Sequence, residues 1–125
     1  MQMRESSEDY LEAIFILRER NGTVRAVNVA EELSFSKASV SIAMKKLREN
    51  GYVSLDEDGF LLLTPAGETV AARVYQRHKV LTDFFVSLGV DPAVAARDAC
   101  KVEHDLSQET FDKLLIHAQQ NIKGE

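Results

Sequence analysis

Residues 34–51 read SFSKASVSIAMKKLRENG, and the fold turns on this stretch. Ser36 is a helix N-cap residue ahead of a run without breakers, and Gly51 is the glycine expected just past a helix end. Between them Val40, Ala43 or Met44, and Leu47 recur at helical spacing, the inner stripe of a helix over residues 37–50. Its outer face shows Lys37, Ser39, Ile42, Lys45 and Lys46. Upstream, residues 24–27 read as an extended lead-in, and Val29, Ala30 and Leu33 form the inner side of a shorter helix. Ser34-Phe35-Ser36 is the turn between the two. Downstream, residues 52–55 and 60–63 are short apolar runs separated by Asp56-Glu57-Asp58-Gly59, with Asp-Gly as a hairpin signal. Two helices, a tight turn and a hairpin are the order of a winged helix-turn-helix.

The flanks read as helices. Ser6-Ser7-Glu8-Asp9 is a helix start, followed by Tyr10, Ile14 and Leu17 at helical spacing and closed by Asn21-Gly22. Thr64-Pro65 opens a long helix over residues 65–88, with Ala71, Val74 or Tyr75, His78, Leu81 or Thr82, Phe85 and Leu88 on one stripe and Gly89 as its stop. Asp91-Pro92 opens another over residues 93–104, and residues 107–120 form a last one with Phe111, Leu114, Leu115 and Ala118 inward. The expected fold is mainly α. A winged helix-turn-helix over residues 1–64 is followed by a helical region over 65–125, two small domains sharing the long helix. Residues 123–125 are expected to fray.

Bulk properties bound the function. No apolar run approaches the roughly 18 residues of a membrane span, and the polar, acidic residues 1–8 do not form a secretory signal. One cysteine allows no internal disulfide and suits a reducing cytoplasm. The net charge of −5 hides segregation. Residues 18–50 hold seven lysines and arginines against four glutamates, a local +3, whereas residues 1–17 carry −3 and residues 51–125 carry −5. A phosphate backbone meets the local charge. No HExxH spacing, glycine-rich phosphate loop or nucleophile–base pair points to an enzyme or a small-molecule substrate.

Cys100-Lys101-Val102-Glu103-His104 places a thiol, a carboxylate and an imidazole at i, i+3 and i+4, on one face of a continuous helix. These are ligands for a first-row transition metal, and a chance cluster of exposed polar groups is the competing reading. Asp9 and Glu12, at i, i+3, equally fit an ordinary solvated acidic face. His78, on the packed stripe, equally fits a satisfied core histidine, and His117 reads as surface.

The chain resembles the diphtheria-toxin-repressor family of metal-dependent transcriptional regulators, and looks most like its short manganese-regulator branch without an additional C-terminal domain. The likeness rests on Ser7-Glu8-Asp9-Tyr10-Leu11-Glu12, Val29-Ala30-Glu31-Glu32-Leu33, Ser39-Val40-Ser41, Lys46-Leu47 and Leu63-Thr64-Pro65-Ala66-Gly67. Arg77-His78 and the run from Asp98 through Cys100, Glu103 and His104 to Ser107 extend it across residues 5–120. The resemblance implies a helical dimerisation region after the winged helix and a homodimer on a palindromic DNA operator, repressing metal-uptake genes. It implies a metal site made by Asp9, Glu12, His78, Cys100, Glu103 and His104. The sequence departs from both main branches of the family. The manganese branch has a carboxylate where Cys100 stands, and the iron branch has a methionine where Asp9 stands. The iron branch's ancillary site is incomplete, with Thr82 and Ala96 at two of its positions. A thiolate favours Fe(II), Co(II) or Zn(II), whereas Asp9 and Glu12 suit Mn(II) or Fe(II), so Fe(II) or Mn(II) is the expected ion.

On the DNA side, Ser36, Lys37, Ser39 and Ser41 are expected to reach phosphates or base edges, and Ala38 and Ile42 thymine methyls. Arg25, Lys45 and Lys46 are expected on phosphates. The acidic wing tip should be repelled by DNA and contribute little, and Glu31 and Glu32 should face away. A regulator gated by oxidation of Cys100 rather than by metal is an alternative, as is a winged-helix module that binds only protein.

Overall fold

The computed structural model describes residues 5–123, with side chains from 6 to 120. Among these residues lie six helices and one two-stranded sheet: α1 (Glu5–Asn21), α2 (Ala26–Leu33), α3 (Lys37–Glu49), β1 (Val53–Leu55), β2 (Leu61–Leu63), α4 (Pro65–Ser87), α5 (Pro92–Val102) and α6 (Gln108–Lys123). The chain packs as two units, 1–73 and 74–125, and the division falls inside α4. Gly124, Glu125 and residues 1–4 lie outside the described residues, and with them most of the tail expected to fray.

The first unit is a winged helix-turn-helix. Its core joins Tyr10, Leu11, Ile14 and Leu17 of α1 to Val29 and Ala30 of α2, Val40, Met44 and Leu47 of α3, and Val53 and Leu61 of the wing. Truncating a fully buried leucine such as Leu11 or Leu47 costs about 2–5 kcal/mol, so these contacts fix how α3 is held. Ser36 caps α3 as its position predicts, its Oγ accepting from the Ser39 N–H at 3.1 Å. The lead-in is shorter than expected. α2 already starts at Ala26, because Asn28 Oδ1 accepts from the Arg25 N–H at 2.8 Å and stops the extended chain there. Between α2 and α3 Ser34 adopts a left-handed conformation (φ 58°).

The wing strands pair antiparallel, Val53 with Leu63 and Leu55 with Leu61. Asp56 builds the loop between them: its Oδ1 accepts from the N–H groups of Asp58 and Phe60, both at 2.9 Å. Gly59 supplies the positive φ (83°) that the loop requires. The start of α4 is fastened to this unit. Arg18 forms paired hydrogen bonds of 2.6 and 2.7 Å with Glu68, and Arg73 reaches Glu8 at 2.7 Å.

In the second unit Val74 and Leu81 of α4, Ala95 and Ala99 of α5, and Phe111 of α6 are buried. Leu88 departs from the expected stripe. α4 stops at Ser87, and Leu88 lies beyond the helix, 67% exposed, in a turn closed by the Gly89 N–H on the Val86 carbonyl.

Candidate metal centre and nucleic-acid interface

The second unit gathers four of the six candidate ligands. Asp91 caps α5, its Oδ2 accepting from the Ala93 N–H at 3.1 Å, and Pro92 follows at the first helical position. The helix does not continue through His104 as the spacing predicts. It ends at Val102. Glu103 is the C-cap, its N–H still bonded to the Ala99 carbonyl at 2.9 Å, and His104 lies in the turn that the Asp105 N–H closes on the Val102 carbonyl. The chain must reverse here, because Ser107 already caps α6, accepting from the Thr110 N–H at 3.1 Å. The ligand types are therefore delivered by a helix end and a turn rather than by one helical face.

They still converge on Glu103. Cys100 and Glu103 present ligand atoms within 4.8 Å of each other. His78, from α4, brings Nδ1 to 3.1 Å from Glu103 Oε2. His104 Nε2 approaches Oε1 to 3.4 Å, near enough for ion pairing but outside hydrogen-bond geometry. Glu103 is 1% exposed and its Oε1 accepts no hydrogen bond. A carboxylate oxygen sealed from water without a donor is costly, and a bound cation removes that cost. Two imidazoles, an exposed thiol and a buried carboxylate are a donor set that fits a divalent transition ion. The chance-cluster reading required exposed groups, and Glu103 is not exposed.

In the first unit Asp9 and Glu12 lie on one flank of α1. Glu12 is only 7% exposed and Asp9 is half-buried, so the solvated acidic face does not describe Glu12. His117 is exposed as expected, edge-on to the Phe84 ring. Thr82, at an incomplete ancillary position, donates back to the His78 carbonyl at 2.7 Å, an interaction internal to α4.

The candidate DNA-facing residues Arg25, Ser36, Lys37, Ala38, Ser39, Ser41, Ile42, Lys45 and Lys46 are all exposed in the first unit. Ile42 is 60% exposed, an apolar side chain held out from the middle of α3. Glu31 and Glu32 are also exposed, and Glu32 receives a 2.9 Å hydrogen bond from Arg20. Arg25 has a local partner that sequence reasoning missed: its guanidinium lies 4.2 Å over the Phe60 ring in the loop of the wing.

Sequence reasoning also assigned no role to Arg77 or Gln108. Arg77 is buried beside His78 and holds the turn that carries Glu103. Only the reversal after α5 brings these groups together, and no spacing in the sequence signals it.

Residues 2–61 match the family model described as "Iron dependent repressor, N-terminal DNA binding domain", and residues 64–119 match "Iron dependent repressor, metal binding and dimerisation domain". The chain belongs to the iron-dependent repressor family. Within that family of metal-dependent transcriptional regulators it is similar to the transcriptional regulator MntR of Salmonella typhimurium, 37% identical over 118 residues, covering 94% of this chain and 75% of that protein. It is also similar to the HTH-type transcriptional regulator MntR of Lysinibacillus sphaericus, 36% identical over 109 residues, covering 87% of this chain and 78% of that protein. Among solved structures, a manganese-dependent transcriptional repressor in complex with manganese superposes with a TM-score of 0.83 at 27% identity, over 90% of this chain and 52% of that one. The manganese regulator SloR superposes with a TM-score of 0.77 at 30% identity, over 91% of this chain and 53% of that one. This chain thus spans about half the length of those two structures. The match to a metal-binding family domain favours metal over oxidation of Cys100 as the gate.

Proposed function

We propose that this iron-dependent repressor family member is a cytoplasmic homodimer that binds a palindromic operator when loaded with Fe(II) or Mn(II) and represses metal-uptake genes. It has no catalytic role in this reading, and its halves divide at residues 1–64 and 65–125. The observation that carries the reading is the sealed Glu103 carboxylate, with His78 at 3.1 Å on one oxygen and no hydrogen-bond donor on the other.

The proposed ligand set is His78, Cys100, Glu103 and His104, completed by Asp9 and Glu12 of α1. These residues would hold a divalent cation, which would supply the positive charge that offsets up to four anionic groups. With the proton of His78 on Nδ1, that nitrogen donates to Glu103 Oε2 and fixes the ring. The thiol of Cys100 favours Fe(II), and the oxygens of Asp9 and Glu12 accept Fe(II) or Mn(II).

On the DNA side α3 enters the major groove. Ser36, Lys37, Ser39 and Ser41 contact phosphates or base edges, Ala38 and Ile42 meet thymine methyls, and Arg25, Lys45 and Lys46 hold phosphates. Two such helices in a symmetric dimer read half-sites roughly 34 Å apart. Ligands drawn from α1 and from the Glu103 turn make metal occupancy and the posture of the reading heads one equilibrium. A coupling of about 1–3 kcal/mol suffices to switch occupancy of the operator.

The test is a gel-shift titration with Mn(II), Fe(II) and Zn(II), run anaerobically on wild type and Cys100→Glu. Metal-stimulated binding is expected in both, with the variant shifted toward Mn(II). Binding that no metal alters in either protein would overturn the reading.

A further inference from the structure

Consecutive residues of α4 take hold of Glu103 in different ways. His78 meets its carboxylate, and Arg77 holds its main chain. Arg77 Nη1 donates to the carbonyl oxygens of Glu103 at 3.0 Å and Leu106 at 2.9 Å, and Nη2 donates to Gln108 Oε1 at 3.0 Å. The guanidinium carbon lies 5.2 Å from the Phe111 ring centroid, and the residue is 9% exposed. Burying an arginine is costly, and here Nε finds no hydrogen-bond partner, whereas both terminal nitrogens are committed to one short segment, residues 103–108. That segment carries Glu103 at the end of the helical ladder, where its N–H is still bonded to Ala99 but its carbonyl is held by Arg77, and His104 beyond the ladder in the turn.

We propose that Arg77 is the positioning residue of the metal centre: its fork fixes the turn that aims Glu103 and His104, and Gln108 fixes the fork. The inference rests on the metal reading above and extends it to residues that touch no ion. Groups that orient metal ligands typically change metal affinity by about 10–100-fold when altered. Lysine is a poor replacement for the fork, because a compact ammonium on a flexible stem lacks the rigid, spread donors that reach two carbonyls and an amide.

Co(II) provides the probe, because a bound thiolate gives it a charge-transfer band and its visible absorption reports ligand geometry. Metal-free wild type, Arg77→Lys and Gln108→Ala are titrated with Co(II) against a chelator, and the spectrum at saturation is recorded. Thermal melts of the metal-free proteins are measured in parallel. Arg77→Lys is expected to bind about 10–100-fold more weakly and to show an altered saturated spectrum. Gln108→Ala, at an exposed position, keeps the fold testable if Arg77→Lys does not fold. It is expected to move affinity and spectrum in the same direction by a smaller factor. Wild-type affinity and spectrum in Gln108→Ala, together with either the same result or only a lowered melting temperature in Arg77→Lys, would overturn the positioning role and leave the metal reading intact. Failure of wild type itself to bind Co(II) would overturn the metal reading, and this inference with it.

Discussion

Gly67, in the first turn of α4, passes so close to the Tyr52 carbonyl oxygen that a Cβ at Gly67 would collide with it. The contact lies where α4 leaves the wing. Thr64 fastens the same junction, its hydroxyl donating to the Gly51 carbonyl at 2.6 Å and its N–H to that of Tyr52 at 3.1 Å. Glycine is required here for space rather than for its backbone freedom. Gly67→Ala is expected to destabilise the protein by about 1–3 kcal/mol, the usual cost of overpacking, measured by urea unfolding. An unchanged midpoint would show that the junction gives way freely.

Arg18 and Glu68 tie α1 to α4 across fifty residues of sequence. The hydrogen bonds from Arg18 hold the Glu68 carboxyl below its ordinary value of 4.5, with the opposite charge adding to the effect and partial burial opposing it. A carboxyl lowered in the folded state contributes stability that is present above its unfolded pKa and lost as pH falls through the folded one. Both side chains are more than a third exposed, so screening limits the contribution to about 0.2–1 kcal/mol. Glu68→Gln is expected to lower stability by that amount at neutral pH and to converge with wild type as pH falls through the lowered carboxyl value, followed by denaturant midpoints across the range.

Ser34 is the only non-glycine residue with positive φ among the described residues. Its backbone serves the cap at the end of α2, where the Phe35 N–H reaches the Ala30 carbonyl at 3.1 Å. A left-handed non-glycine residue costs about 1 kcal/mol or more, so Ser34→Gly is expected to raise the melting temperature. A lowered one would mean that the serine side chain contributes more than its backbone costs.

Lys45 and Lys46 stand exposed on α3 beside Ile42. If they hold phosphates, replacing either by glutamine lowers the slope of log affinity against log salt by about 0.9, with sequence preference kept. Ile42→Ser should leave that slope alone and relax the preference for thymine at one position. Salt-dependent fluorescence anisotropy on matched and altered operators separates the two effects.

Removing metal should uncouple stability from metal concentration. At a free metal concentration 100 times its dissociation constant, binding adds about 2.7 kcal/mol to stability, which a chelator abolishes. Glu103→Gln is expected to lose that response while its chelated form stays at least as stable as chelated wild type, since a buried carboxylate oxygen without a donor is gone. Calorimetry with and without Mn(II) is the measurement.

Much of this protein was determined by its sequence alone. The period of Val40, Met44 and Leu47, the serine ahead of α3 and the proline at the head of α4 are local signals, and local backbone preference obeys them. The chemistry of the candidate ligands was legible too, because residue chemistry does not depend on the fold. Tertiary structure alone decided how those candidate residues are held. The spacing of Cys100, Glu103 and His104 suggested one helical face, but α6 starts so soon that the chain turns at Glu103 and hands it to His78 and Arg77, about 25 residues earlier in the chain. Burial of Glu103, the Arg77 fork and the stacking of Arg25 on Phe60 are contacts between distant segments, and sequence spacing carries no information about which distant segments meet.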